Sequence, residues 1–139
     1  MSDGIVVIDK PAGRSSAHVV AAVKRLLKAD KVGHAGTLDP FACGVLVCCL
    51  NRATRLARFL LHGDKAYEGV LRLGIETDTE DPTGRVVAER DWSGVTAAAV
   101  RDAFRRYEGD YLQTPPAYSA LKQDGVPLYA LARKGCPVR

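Results

Sequence analysis

The 139-residue sequence has no long apolar run and few of the residues that metal and disulfide sites require. No apolar segment approaches the roughly 20 residues of a membrane-spanning helix, and no basic region followed by an apolar stretch marks a secretory leader. The four cysteines form no C-x-x-C pair and the three histidines are scattered, which argues against a zinc centre. We therefore expect a cytoplasmic protein with buried, reduced thiols, no metal and no contact with a membrane.

Three common functional motifs are also missing. The segment KPAGRSS lacks the G-x-x-x-x-G-K spacing of a phosphate-binding loop. The acidic segment TDTEDPTG has Pro82 and Thr83 where an EF-hand needs a ligand and its glycine. No serine or cysteine lies in a nucleophile elbow. These absences exclude a nucleotide-binding loop of the Walker type, an EF-hand and a hydrolase of the elbow type.

The composition is that of a globular protein with a small basic excess. Hydrophobic residues make up 47% and charged residues 26% of the chain, which are ordinary globular values. The length corresponds to about one domain. The formal charge of +4 and the pI near 9.0 permit an anionic partner such as nucleic acid.

Periodicity predicts alternating strands and helices in the first half of the chain. The β-branched run GIVVID predicts a strand, and Ser15 or Ser16 is a candidate N-cap for a helix that continues to about Ala29. Apolar residues at helical spacing should lie on one packed face of this helix: Val19, Val20, Val23, Leu26 and Leu27. A loop, a buried strand and a second helix should follow, at residues 32–43, Gly44–Leu50 and Ala53–His62.

In the second half, strands are predicted at Tyr67–Gly74 and residues 86–90, on either side of a polar loop. Thr96 can cap a helix that continues to about Tyr107, and the segment PLYALARKG predicts a last short helix. The resulting fold class is α/β (α+β), with a mixed, largely antiparallel sheet flanked by helices.

The segment VGHAGTLDPFACG contains the strongest local signal. Asp39 precedes Pro40, which favours extended backbone at the aspartate, while Gly33 and Gly36 allow tight or left-handed turns nearby. A carboxylate on such a rigid loop suits nucleophilic or general-base chemistry, although the same pattern is compatible with a simple Asp-Pro turn. His34 could pair with Asp39, or it could bond to the loop backbone.

A row of arginines indicates a second type of interaction. Arg52, Arg55 and Arg58 are spaced three residues apart and would share one face of the predicted helix. Together with Tyr67 they could bind backbone phosphates and stack a base, or they could be ordinary solvated surface.

Four segments, in this order, resemble the TruB family of pseudouridine synthases: GIVVIDKPAGRSS, GHAGTLDPFACGVL, DKAYEGVLRLGIETDTEDPTG and PPAYSALK. The resemblance implies the pseudouridine synthase catalytic fold and an isomerase without cofactor or metal. Such an enzyme flips a uridine out of RNA, breaks its glycosidic bond to N1, and rejoins C5 to the sugar. The bacterial-type members modify uridine 55 in the T loop of tRNA, so the resemblance implies the tRNA T arm as partner, and we expect a monomer.

The resemblance also assigns roles to individual residues. Asp39 matches the catalytic aspartate, and His34 matches a histidine that fills space near the flipped base. Tyr67 matches a tyrosine that stacks on the target base, and Asp81 matches a carboxylate near the RNA. Lys10 and Pro11 match a turn that braces the catalytic loop, and Gly36 and Pro40 belong to its rigid scaffold. The arginine row is expected to contact RNA phosphates.

Family members are expected to continue beyond the segments quoted above. Their further strands carry an arginine that pairs with the catalytic aspartate, and an RNA-binding PUA domain often follows. We therefore expect residues 1–139 to form the N-terminal portion of the catalytic domain, truncated at its C-terminal side. Two alternatives stay open: an RNA-binding fragment without turnover, and a guide-dependent ribosomal RNA synthase of the dyskerin kind.

Overall fold

The computed structural model describes residues 2–119 and 121–135, and the chain divides into two compact units, Met1–Glu68 and Gly69–Arg139. Both units combine helices with antiparallel strand pairs, so the predicted α/β (α+β) class is confirmed. Within the described ranges, no helix has the length and apolar character needed to cross a membrane.

The first unit contains a three-stranded antiparallel sheet. Its strands are β1 (Gly4–Lys10), β2 (Val32–His34) and β3 (Gly44–Leu50). The central strand is β3, which pairs with β1 along its whole length and with β2 over three residues. The predicted strand at the N-terminus and the strand Gly44–Leu50 are confirmed, but the latter is not buried throughout, since Val45 is 70% exposed. Strand β2 lies where we predicted loop.

Helix α1 (Ser16–Leu26) covers one face of this sheet. The hydroxyl of Ser15 caps it by accepting a hydrogen bond from the His18 amide at 3.2 Å, as predicted. Val19 and Val23 are buried against Leu46, Cys48 and Leu50 of β3, which gives the unit its apolar core.

The end of α1 differs from the prediction. Leu26 and Leu27 were expected on the packed face, but they are 75% and 52% exposed. The helix ends at Leu26, and Lys28 follows with a left-handed φ of 48°. Because the backbone leaves the helical path after Leu26, the 3.6-residue period no longer carries the Leu27 side chain to the core.

The segment after β3 is helical, but its first part is not an α-helix. Residues Asn51–Leu56 form a 3₁₀ helix, followed by the short helix α2 (Ala57–Leu60). The Thr54 hydroxyl donates to the Asn51 carbonyl at 2.8 Å, a local bond that competes with the regular helical pattern. The predicted α-helix over Ala53–His62 is therefore wrong in type for its first residues.

The second unit begins with a hairpin of β4 (Ile75–Thr77) and β5 (Val86–Glu89). It continues with α3 (Ala97–Arg105). The Thr96 hydroxyl caps this helix by accepting a hydrogen bond from the Ala99 amide at 3.2 Å. A two-residue ladder, β6 (Lys122–Gln123) with β7 (Val126–Pro127), precedes α4 (Leu128–Arg133). The return strand, the capped helix and the last short helix are confirmed.

The predicted strand Tyr67–Gly74 is wrong. Residues 64–72 have no regular secondary structure, and strand pairing begins only at Ile75. The segment has suitable β-forming residues, but a strand exists only through hydrogen bonds to a neighbour, and no strand in the described ranges pairs with it. Val70 and Leu71 are consequently 100% and 66% exposed.

Candidate active site

The loop between β2 and β3 contains the predicted catalytic segment. It leaves the sheet after Ala35, whose amide extends the ladder by donating to Val47 at 2.9 Å. Gly36 then adopts a φ of +115°, a conformation that favours glycine. This turn brings the Gly36 carbonyl into contact with Nδ1 of His34.

His34 is half-buried at the end of β2, opposite Cys48 of β3. A carbonyl oxygen can only accept a hydrogen bond, so the contact with Gly36 requires the proton on Nδ1. In the neutral ring, Nε2 is then an acceptor. Of the two contacts considered for His34, pairing with Asp39 or bonding to the loop backbone, the structure contains the bond to the backbone.

Leu38, the residue before the aspartate, is bound through both of its backbone polar groups by one side chain. The Ser16 hydroxyl donates to the Leu38 carbonyl and accepts from the Leu38 amide, each at 3.0 Å. Ser16 is only 3% exposed. Sequence reasoning considered this serine only as a helix cap, because its partner lies 22 residues away along the chain.

Pro40, the residue after the aspartate, is bound by the end of β1 and the turn that follows it. Its carbonyl accepts the Gly13 amide at 2.6 Å and the Lys10 ammonium at 3.4 Å. The same ammonium donates to the carbonyls of Pro11 at 3.0 Å and Arg14 at 2.7 Å. Lys10 is completely buried, so its charge is stabilised by backbone oxygens inside the protein.

Asp39 itself lies exposed between these two anchored residues. Its carbonyl accepts the Ala42 amide at 3.1 Å, which closes a short turn. Over residues 2–119 and 121–135, its carboxylate makes no hydrogen bond or ion pair. The unit therefore presents a solvent-accessible carboxylate on a backbone that is fixed on both sides.

The arginine row follows β3 in the same unit. Arg52 and Arg55 lie one turn apart on the 3₁₀ helix, which has three residues per turn, and Arg58 lies on α2. All three are exposed. Arg52 approaches Asp3 at 4.0 Å, and the Arg58 guanidinium stands 4.7 Å from the centre of the Phe59 ring.

Asn51 anchors the start of this arginine-bearing segment. Its side-chain oxygen accepts the amides of Asp30 and Lys31 at 3.0 and 3.1 Å, and its side-chain nitrogen donates to Ser2 at 2.9 Å. One side chain thus joins the end of β3 to the segments before β1 and β2. Sequence reasoning missed this residue; its left-handed φ of 50° has no signal in the sequence beyond the known tolerance of asparagine for that conformation.

Tyr67 lies in the irregular segment before β4 and is 75% exposed. Its ring is accessible for stacking, but no described contact fixes its orientation.

Asp81 lies in the β4–β5 loop of the second unit, where its carboxylate organises the turn. Its Oδ1 accepts hydrogen bonds from the Thr79 hydroxyl at 2.8 Å, the Thr83 amide at 2.8 Å and the Thr83 hydroxyl at 2.6 Å. Partial burial raises the pKa of Asp81, but the hydrogen bonds from Thr83, Thr79 and Gly84 outweigh it, so the pKa lies below its usual value. The carboxylate therefore has a structural task in the loop.

The prediction of buried thiols is confirmed for Cys48 and Cys49 but not for Cys43. Cys48 and Cys49 are fully buried in β3, and Cys43 is exposed. Burial raises the pKa of both β3 thiols, and the neighbouring Cys49 raises that of Cys48 further. Cys136 lies outside the described residues. The described ranges contain no group of three or more His, Cys, Asp or Glu residues that could hold a metal ion.

Comparison with known proteins gives a consistent result. The family model "TruB family pseudouridylate synthase (N terminal domain)" matches residues 24–139. The curated tRNA pseudouridine synthase B of Geotalea uraniireducens is 52% identical over 136 residues, covering 98% of this chain and 44% of the relative. The protein of the same name from Bordetella parapertussis is 50% identical over 135 residues, covering 96% of this chain and 55% of the relative.

Among solved structures, a chain from "Crystal structure of the archaeal box H/ACA sRNP Nop10-Cbf5 complex" matches with 51% sequence identity and a TM-score of 0.39. The match covers 40% of this chain and 18% of that chain.

The family-model match and the curated relatives, with the mixed antiparallel fold, place the chain among the pseudouridylate synthases. The chain belongs to the TruB family, and the predicted resemblance is confirmed. It spans about half the length of the curated relatives that it matches.

Proposed function

We propose that the protein isomerises uridine to pseudouridine in RNA, at uridine 55 in the T loop of tRNA, with Asp39 as the catalytic residue. The observation that carries the proposal is the exposed Asp39 carboxylate, held on an anchored loop. The chain that contains it is 52% identical to a protein named tRNA pseudouridine synthase B.

The proposed reaction balances within one nucleotide. The bond between the sugar C1′ and N1 breaks, the base rotates, and a bond from C1′ to C5 forms, while the C5 proton leaves and N1 gains one. A carboxylate can assist as a nucleophile or as a base. The reaction needs no oxidant and no added group, so no cofactor or metal is part of the proposal.

The other site residues are proposed to bind the flipped nucleotide. Extrusion from an RNA loop costs a few kcal/mol of unstacking, and a stacked tyrosine such as Tyr67 offsets roughly 1–3 kcal/mol of it. Half-buried His34 would fill the space left by the base, and Asp81 would lie near the RNA. Lys10, Pro11, Gly36 and Pro40 would form the scaffold of the loop.

The exposed arginines are proposed to bind RNA phosphates. Arg52 and Arg55 stand on one side of the 3₁₀ helix, so both guanidinium groups can face the same strand of RNA. A monomer that acts in the cytoplasm completes the proposal.

The test is pseudouridine formation in a T-arm stem-loop with the chain in excess, measured without guide RNA and, in a parallel sample, with a guide RNA that pairs with the stem-loop. The nucleosides are separated after digestion, and a matched stem-loop with cytidine at position 55 serves as control. We expect product only in the uridine-containing RNA. Binding of the stem-loop without product would favour the non-catalytic alternative, and product that requires a guide RNA would favour the dyskerin-like alternative.

A further inference from the structure

The backbone on either side of Asp39 is held by the last residue of β1, the turn that follows it and the first residue of α1. The Ser16 hydroxyl bonds to both the amide and the carbonyl of Leu38 at 3.0 Å. The Gly13 amide and the Lys10 ammonium bond to the carbonyl of Pro40. Asp39 thus lies between two anchored residues.

The Ser16 hydroxyl acts both as hydrogen-bond donor and as hydrogen-bond acceptor. A hydroxyl has one proton to donate and can accept at its lone pairs, and here both capacities serve the same residue. Because Ser16 is 3% exposed, water cannot easily replace it. Losing the hydroxyl would leave two polar backbone groups of a half-buried residue without these partners.

The direction of the Asp39 carboxylate depends on this anchoring. Its side chain makes no hydrogen bond or ion pair within the described part of the chain, so only the backbone orients it there. A misplacement of about 1 Å at a reacting group can lower a rate roughly 100-fold. A residue that fixes the Leu38 backbone can therefore control the reaction without touching the substrate.

We infer that Ser16 is a positioning residue for Asp39 that acts through the backbone of Leu38. The catalytic consequence rests on the proposed function, whereas the anchoring of the loop does not. Ser16 is not needed to cap α1, because the Ser15 hydroxyl already accepts the His18 amide. The two adjacent serines thus have different tasks, which supplies a matched control.

The first measurement is amide hydrogen exchange by NMR in the wild type, Ser16→Ala and Ser15→Ala. In Ser16→Ala, we expect the Leu38 amide to exchange roughly tenfold faster, as the loss of one hydrogen bond implies. The Ala35 amide, bonded to Val47, should be unchanged and reports on the sheet. Ser15→Ala should leave Leu38 protected. Unchanged exchange at Leu38, or equal acceleration at Leu38 and Ala35, would overturn the inference.

The second measurement is the single-turnover rate of pseudouridine formation against the concentration of the chain. Ser16→Ala should lower the maximal rate about tenfold or more while the half-saturating concentration stays the same. Ser16→Thr, which keeps the hydroxyl, should recover most of the rate, and Ser15→Ala should keep it. A Ser16→Ala protein with a released Leu38 amide and an unchanged rate would contradict the positioning role.

The two proposals fail in different ways. A wild-type chain that binds RNA but forms no pseudouridine overturns the proposed function, together with the catalytic consequence of Ser16. The Leu38 exchange would still decide, in the same samples, whether Ser16 fixes the loop.

Discussion

Replacing Lys10 by methionine tests the energetic basis of the anchored loop. Lys10 is fully buried, and its ammonium donates to three backbone carbonyls at 2.7, 3.0 and 3.4 Å. Methionine keeps most of the apolar stem but removes the charge and all three donors. The substitution therefore isolates the polar contribution of this side chain.

The magnitude follows from the two shorter bonds, since the 3.4 Å contact with Pro40 is near the limit of a hydrogen bond. A hydrogen bond to a charged group contributes about 1.5–3 kcal/mol. The acceptors at 3.0 and 2.7 Å belong to Pro11 and Arg14, two exposed residues whose carbonyls water can reach once the lysine is gone. Two such bonds sum to about 3–6 kcal/mol, and because water can replace the lysine we expect a loss at or slightly below the lower end, about 2–3 kcal/mol of folding free energy.

The assay must report on the first unit. The single tryptophan, Trp92, belongs to the second unit, so its fluorescence is unsuitable. Native-state hydrogen exchange of the β3 amides measures the opening of the sheet directly. The expected loss corresponds to roughly 30- to 150-fold faster exchange, at about 1.4 kcal/mol for each factor of ten.

Lys24→Met is the matched control. Lys24 is exposed on α1, and surface substitutions usually change stability by less than about 0.5 kcal/mol. If Lys10→Met also stays within that range, or stabilises the sheet, the buried ammonium does not hold the turn, and the account of the loop is wrong.

Three further predictions concern RNA binding, chemistry and pH. Changing Arg52, Arg55 or Arg58 to Gln should each make the negative slope of log binding constant against log salt shallower by about 0.7. The reason is that RNA binding releases fewer counterions when one phosphate contact is lost. Tyr67→Phe should bind RNA as the wild type does but react more slowly, because stacking is kept while the hydroxyl is lost. The β4–β5 hairpin should lose stability on acidification. The pKa of Asp81 is lowered in the folded state, so its contribution is present above the unfolded value of about 4 and disappears as the pH falls through the folded value.

Each of these has a distinct control. Arg105→Gln, in the second unit and paired with Asp102 at 3.1 Å, should leave the salt slope unchanged; an equal decrease would mean that net charge alone governs binding. Equal rates for Tyr67→Phe and the wild type would exclude its hydroxyl from proton transfer. In Asp81→Asn, NMR shifts of the hairpin should lose the acid-dependent change, and an unaltered pH profile would show that another group causes it.

Local signals in the sequence predicted the elements that depend on local interactions. The caps at Ser15 and Thr96 and the apolar strand β3 follow from side chains and their immediate neighbours. Strand β2 was missed because its three residues, Val32–His34, are too few to show an alternation of apolar and polar side chains. The strand forms through its pairing with β3. The predicted strand Tyr67–Gly74 was wrong for the converse reason: its residues favour a strand, but the described ranges offer it no partner.

The candidate site was predictable in part. Asp39 was singled out by its Gly-rich loop and by the family resemblance, and its role stays a prediction. The hydrogen bonds between Ser16 and Leu38 could not be predicted, since the two residues are 22 positions apart and the contact depends on how α1 packs against the loop. The three bonds to Asp81 arise from a turn whose geometry no spacing rule specified.

The central claim is that Asp39 converts a bound uridine in the T loop. The most direct measurement compares the wild type with Asp39→Asn, which keeps the size of the side chain and removes its charge, in single-turnover pseudouridine formation and in binding of the same stem-loop. We predict product from the wild type alone, with equal affinities for the RNA. Product from Asp39→Asn at the wild-type rate would contradict the claim.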